Sequence, residues 1–285
     1  MSRTNTPFLT GYAVKPNVIN EVGIVTFTDG TNEITPNQQQ CEAYGFTYNP
    51  TTGTCRAFTY NTELGKSLRK ETNNVQGSNN VAGVGTDNSY VMGENNTIEG
   101  DAKNNIIIGS GNNINLGLQS ANVFGTLGEA TADNSIVLGG NAGSDNLAER
   151  QSIQVLYGTQ TTAASEVDSY LNNTTDSYFA VPENTILYFN ADVVAVRVGG
   201  TDGSGAVGDY ASWIERGVII NESGTLTINR EKDAIKDSGG AISNWRPRSV
   251  ASGTNYVLKV RGEADQTIEW CANIIFTQIK TGVAL

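Results

Sequence analysis

Chemistry in a protein needs side chains that can move a proton, attack, or hold a metal, and this chain is short of them. It has no histidine, which removes the commonest general base and metal ligand. Cys271 therefore has no imidazole to activate it and reads as a shielded or interface thiol rather than a nucleophile. Cys41 and Cys55 are placed by the pattern around them on a short helix and on a returning strand, where their side chains can meet. They form either a disulfide or, as is usual in a protein made in a cytoplasm, two reduced and buried thiols. Two cysteines without histidine leave a tetrahedral zinc set short. Paired carboxylates that cut a polysaccharide remain the one catalytic class open, but no candidate pair stands at a strand end. We therefore expect no catalytic residue, no metal and no cofactor.

Binding chemistry is better represented. The polar stretch Asn244–Asn255 carries Trp245, Arg246 and Arg248, an aromatic face beside two fork-like donors, which suits sugars and acidic glycans. The turn Thr201–Tyr210 is the other long polar connection, and connections on a rigid β scaffold usually carry contacts. In the alternative reading Trp245 plugs a seam between chains and the two arginines pair with acidic neighbours.

The elements that must position these residues are organised around a repeat. The phrases N-N-V-Q-G, S-Y-V-M-G, N-I-I-I-G, A-N-V-F-G and S-I-V-L-G end on Gly77, Gly93, Gly109, Gly125 and Gly139. The step is sixteen residues three times and then fourteen. Asn80, Asn96 and Asn112 keep the same step half a row later, as do Ala82, Ile98 and Ile114. Each row thus holds two short strands and two turns, and the rows stack as parallel rungs roughly 4.8 Å apart. Glycine takes positive φ at the corners, and asparagines in a column can donate to one rung and accept from the next.

The columns also bear on assembly. Val75, Val91, Ile107 and Val123 share one position, while Gln76, Met92, Ile108 and Phe124 share the next. Neighbouring positions in a strand face opposite sides, so both faces are apolar in the middle rows. One face fills the coil. The other needs a partner, and copies of the same chain about a common axis supply one. A homo-oligomer follows.

These residues carry a resemblance. N-S-I-V-L-G-G-N-A at Asn134–Ala142 and N-N-I-I-I-G-S at Asn104–Ser110 resemble the head repeats of trimeric autotransporter adhesins, a rung also used by tailed-phage fibres. The resemblance implies a parallel β-roll assembled as a tight trimer, and it is the source of the number three.

On either side the texture changes. In residues 1–72, Ile24–Phe27 reads as a strand and Asp29-Gly30 as its turn. Thr35 caps a helix that begins at Pro36 and stops at Gly45, and Tyr48–Phe58 folds back on itself. Residues 73–146 are the repeat. In residues 147–285, Ile186–Val198 is a strand broken by Asp192, followed by Tyr210–Asn221 and Thr225–Asn229. Tyr256–Arg261 and Ile268–Phe276 form a hairpin across Glu263–Gln266, with Trp270 on an inward face shared with Ile268, Ala272, Ile274 and Phe276. The expected class is all-β: a trimeric parallel β-roll or β-helix shaft with sixteen-residue rungs, an antiparallel β-sandwich after it, and a small mixed amino-terminal unit.

A-Y-G-F-T-Y-N-P-T-T-G-T-C at Ala43–Cys55 resembles stretches in structural proteins of tailed phages, which implies that residues 1–72 fix the chain to other virion proteins. W-I-E-R-G at Trp213–Gly217, Y-V-L-K-V-R-G at Tyr256–Gly262 and I-E-W-C-A at Ile268–Ala272 resemble carboxyl-terminal modules of phage tail fibres, which implies a trimer clamp or a host-contact tip.

Charge narrows the partners. The chain carries a net −11, and between Glu71 and Asp145 eight carboxylates stand against Lys103 alone, a net −7. An acidic shaft argues against nucleic acid and anionic membrane. Met1–Leu9 lacks the pattern of an export signal, and no apolar run reaches the ~20 residues of a membrane span. The expected role is a non-enzymatic virion component made in a host cytoplasm, a short trimeric tail fibre or appendage that contributes to attachment to a host glycan or protein. The alternatives are a head decoration or fibre protein without a receptor role, a bacterial surface adhesin, and a polysaccharide depolymerase. The last is disfavoured by a shaft only ~20 Å tall.

Overall fold

The computed structural model describes residues 14–20, 23–57, 73–140, 146–202, 204–238 and 242–281. Expectations that fall on residues 1–13, on Phe58, or on Asn141, Ala142 and Asp145 lie outside them. With 60% of residues in strands and 2% in helix the chain is all-β. It divides into two compact units, Met1–Lys70 and Glu71–Leu285.

The first unit holds strands β1 (Lys15–Ile19), β2 (Val25–Thr28) and β3 (Glu33–Ile34) in one antiparallel sheet. Helix α1 (Gln38–Ala43) follows, then the pair β4 (Thr47–Asn49) and β5 (Thr54–Arg56). The helix starts later than the proline suggested. Asn37, not Thr35, is the cap: its Oδ1 accepts from Gln40 N at 2.8 Å, and Gln40 Oε1 accepts from Asn37 N at 3.0 Å. This reciprocal box satisfies two end donors at once. Behind the helix, Val25, Phe27, Cys41 and Cys55 are buried together. Cys41 and Cys55 are joined as a disulfide with Cα atoms 5.5 Å apart, and Phe27 meets Tyr44 and Phe46 edge-on.

The second unit begins with a β-solenoid. Its rows are β6 (Asn74–Ser78) and β7 (Val81–Ala82), β8 (Tyr90–Glu94) and β9 (Thr97–Ile98), β10 (Ile106–Ser110) and β11 (Asn113–Ile114), β12 (Asn122–Thr126) and β13 (Glu129–Ala130), with β14 (Ile136–Gly140) closing it. Both strand columns pair in parallel and in register, so Ile107 sits on Val91 and Val123, and Ile114 on Ile98 and Ala130. Those six side chains are fully buried and fill the coil.

Two devices hold the rungs. In the asparagine column, Asn96 Nδ2 donates to Asn80 Oδ1 (3.0 Å) and to Gly109 O (2.9 Å), and Asn96 Oδ1 accepts from Asn112 N (3.0 Å). The amide ladder read from the columns is present. A second ladder, through Asn73, Ser89 and Asn105, escaped that reading. The glycine column is needed for close approach: a Cβ on Gly93 would lie 1.9 Å from Gly109 O, and Gly77 and Gly109 are equally blocked by the next rung. Gly77, Gly93, Gly109 and Gly125 have positive φ. Gly139 does not follow the positive-φ expectation. It is required because a Cβ there would meet Gly128 N and Thr126 O at 2.6 Å, where the shortened last row folds tightly.

At β14 the sheet changes sense without ending. Strand β15 (Arg150–Thr161) pairs antiparallel with β14 and continues the sheet into the carboxyl-terminal section. There follow β16 (Glu166–Leu171), β17 (Phe179–Ala180), β18 (Thr185–Gly200), β19 (Tyr210–Glu222), β20 (Thr225–Asp237), β21 (Arg246–Ser252), β22 (Asn255–Arg261) and β23 (Gln266–Lys280). One long sheet runs in the order β20-β19-β18-β23-β15-β14-β12-β10-β8-β6. A second layer is built on β22, which pairs with β16, β17 and β21. Between them Phe179 stacks on Phe276 (4.5 Å), and Tyr256 meets Tyr157 (5.8 Å) and Phe276 (5.3 Å).

Three expectations are corrected here. Asp192 does not break its strand, because it lies on the solvent side of β18 and leaves the inward alternation intact. Strand β20 does not end at Asn229 but runs to Asp237 through a charged, exposed stretch. Tyr256–Arg261 and Ile268–Phe276 are not a hairpin: β22 and β23 lie in different layers, and the chain crosses between them. The inward face of β23 is as read, with Ile268, Trp270, Ala272, Ile274 and Phe276 buried and Cys271 exposed on the other side.

Candidate functional site

The structure sorts the two apolar columns. Val91, Ile107 and Val123 are interior, with Val75 partly buried at the end rung. Met92, Ile108 and Phe124 point outward, joined by Ile106, Ile136 and Leu138, the last 53% exposed. On the same face of the long sheet, beyond the polar Ser152 and Gln154 of β15, stand Ile279, Ile186, Tyr188, Val218 and Ile275. Ser152 and Gln154 part these residues into two apolar groups, in which Leu138 and Ile279 are each 53% exposed.

Trp245, Arg246 and Arg248 are not grouped in a loop. Trp245 is buried within its own chain: its ring lies 6.2 Å from Trp270, and its Nε1 donates to Gln266 Oε1 at 3.1 Å. An indole with a buried acceptor for its N–H belongs in a core, so it offers no face to a sugar. Arg246 and Arg248 lie on strand β21, on the outward face of the second layer, and both reach Glu166, at 3.4 and 3.5 Å. The turn after β18 is tied down from within. Arg197, 3% exposed, donates to the carbonyl oxygens of Gly199, Asp202 and Ser204. The Asp202 carboxyl is held below its usual range by Ser204 N–H and Gln266.

The arginines are part of a larger cationic face. Strand pairing sets Arg261 between Arg246 and Glu166, and Lys259 between Arg248 and Asp168. Where β20 approaches β21, Arg230 and Lys232 complete a cleft of ≈ 320 Å³ with Glu166, Arg246, Pro247 and Arg248. Sequence reasoning missed Arg230 and Lys232. The signal was the run Arg230–Asp233, in which a period of two puts the cations on one side and Glu231 and Asp233, which pair with Arg216, on the other.

Arg230 is fixed from beneath. It is ion-paired with Glu215, a carboxylate with no exposure, whose Oε2 accepts from Ser249 N and Oγ at 2.7 Å. Lys232 Nζ reaches Pro247 O at 3.4 Å. Burial pushes its pKa down; Glu215 opposes that, and the neighbouring Arg230 and Arg246 add to it. At the end of the face Asp168 accepts from Lys259 (2.6 Å) and Tyr178 (2.9 Å), with the Tyr170 ring 5.7 Å from that of Tyr178. Such a surface can hold anions and hydroxyls. Among the described residues no group of His, Cys, Asp and Glu is placed to hold a metal, and no helix is long and apolar enough to cross a membrane.

No known family and no curated protein matches the chain. Among solved structures it is similar to the tailspike protein of Acinetobacter baumannii phage AM24, at 11% identity and a TM-score of 0.27 over 74% of this chain and 50% of that one. It is also similar to the tailspike protein of Acinetobacter phage vB_ApiP_P1, at 10% identity and a TM-score of 0.25 over 73% and 49%. A third is a tailspike from Acinetobacter baumannii bacteriophage Fri1 described as a capsular polysaccharide depolymerase, at 7% identity and a TM-score of 0.23 over 73% and 38%. The chain spans about half the length of the first two. Superpositions this loose carry no argument for fold or activity.

Proposed function

We propose that the chain is a non-enzymatic structural component of a phage virion, a homotrimeric tail appendage that contributes to host attachment. The observation that carries the reading is the outward apolar face of the long sheet, from Met92 and Ile108 to Ile279 and Ile186. Its apolar side chains recur from rung to rung instead of standing singly, and copies of one chain about an axis would cover them with like residues. The likeness of the rungs to trimeric adhesin heads and phage fibres supports the number three and the virion setting. In this reading Met1–Lys70 docks on the particle, the solenoid spaces, and the carboxyl-terminal layers face the host.

The test is a chain that begins at Asn73. The second unit has its own core, so the shortened chain should fold and trimerise yet fail to join particles. Incorporation at normal levels would place the foot elsewhere. Imaging of complete particles that located the chain on the head would overturn the tail assignment.

A further inference from the structure

We propose that the outer face of the second layer, with the cleft between β20 and β21, binds a polysaccharide that carries carboxylate groups. The proposal rests on the attachment reading for the class of ligand and on geometry for its place and charge.

Six of the 18 lysines and arginines of an acidic chain gather here: Arg230, Lys232, Arg246, Arg248, Lys259 and Arg261. Glu166, Asp168 and the buried Glu215 leave three positive charges in excess. Structural ion pairing does not use up their donors. Arg246 and Arg248 share one carboxylate at long range, and their side chains stay 50% and 48% exposed. Among the described residues Arg261 Nε is buried without a hydrogen-bond partner. An ammonium has three donors, and a 3.4 Å contact to Pro247 O weakly engages one of those on Lys232. Burial first, and then the nearby Arg230 and Arg246, hold the Lys232 pKa down against the pull of Glu215; a bound anion would favour the charged ammonium.

The pattern of the face selects among anions. Across the strands each row runs from a carboxylate on β16 to a cation on β22 and another on β21, Glu166–Arg261–Arg246 and Asp168–Lys259–Arg248, so a continuous run of phosphates laid across the face would meet a carboxylate at the β16 side. A sugar chain with spaced carboxylates places hydroxyls there, which those oxygens accept. Tyr170 and Tyr178 stand at one end, and aromatic faces suit sugar rings. The −11 net charge further disfavours nucleic acid.

The experiment titrates the purified full chain at low salt with an oligogalacturonate of fixed length. The comparison ligands are a neutral maltooligosaccharide of the same length, inorganic phosphate and a single-stranded oligonucleotide. Oligogalacturonate should bind best, and more weakly as salt rises. Lys232→Gln combined with Arg246→Gln and Arg248→Gln should weaken it about tenfold or more; Lys103→Gln on the solenoid should change nothing. Lys232→Gln alone leaves every arginine ion pair in place and should still weaken binding about threefold, so the proposal stays testable if the triple variant misfolds. Absence of oligogalacturonate binding, equal binding by these variants, or equal affinity for the neutral sugar, phosphate or oligonucleotide would each overturn it. None of these outcomes touches particle incorporation, which tests the attachment reading separately.

Discussion

Ile107 and Ile108 are adjacent in one strand, yet the structure assigns them opposite jobs. Ile107 is fully buried between Val91 and Val123, while Ile108 is 38% exposed on the outward face. An Asp at 107 buries a charge inside the coil, at a cost of several kcal/mol, and the chain should not fold. An Asp at 108 stays wet in an isolated chain and should cost about 1–2 kcal/mol, from the part of the isoleucine that its own sheet covers and the poorer fit of Asp in a strand. In an assembly closed by that face the same change removes ~70 Å² of apolar burial per protomer, about 2 kcal/mol, and adds the cost of a carboxylate facing its copies. Over three protomers the trimer should lose at least about 5 kcal/mol, more than a thousandfold in its assembly constant. Sedimentation and native mass at equal micromolar concentration, beside a thermal melt, separate the two effects. Expected are a trimer for the unmodified chain, a folded monomer for Ile108→Asp and no soluble folded species for Ile107→Asp. A trimer of Ile108→Asp with unchanged dissociation, or an unmodified chain with the mass of one copy, would refute the reasoning.

Three further outcomes follow from the packing. Reducing the Cys41–Cys55 bridge releases a short loop constraint of ~3 kcal/mol, so calorimetry should show the first unit melting earlier while the second is unchanged. Asn112→Ala removes donors to Gly125 O and Asn96 Oδ1 and the acceptor for Gly128 N; it should cost about 2–4 kcal/mol in denaturant unfolding, against well under 1 for exposed Gln119→Ala. Trp270→Ala empties a site lined by Trp213 and Trp245 and frees Thr161 Oγ1, and should cost ~3–5 kcal/mol without changing the mass of the assembly.

The solenoid was legible because its information is local and repeated. Sixteen-residue columns gave the two strands of each rung, the amide ladder and the corner glycines, though not the close approach of rungs that makes those glycines obligatory. What the columns could not say was which apolar face turned inward, since Ile107 and Ile108 are the same residue type. In the carboxyl-terminal section partners are far apart in sequence. Ile268 pairs with Thr161 and with Arg197, and nothing near Glu263–Gln266 distinguishes a hairpin from a crossing between layers. Strand β20 was cut short because its second half is charged and exposed, where hydrophobic alternation is silent but charge alternation was not. Trp245 was read by its polar neighbours, while its place was set by Trp270 and Gln266, both remote in the chain.

The in-register asparagine and glycine columns make the length of this shaft a counted quantity. Each of the first three rungs offers the next the same carbonyl, the same amide and the same gap where a Cβ cannot go. Gain or loss of sixteen residues therefore restores every contact and moves the two ends by one rung, roughly 4.8 Å along the axis. Any other length change shifts the ladder off its carbonyls and drives a side chain into the glycine column. The reach of the molecule can vary in whole steps while both ends stay the same, and the fourteen-residue row before β14 is the fixed fitting onto which such steps are stacked.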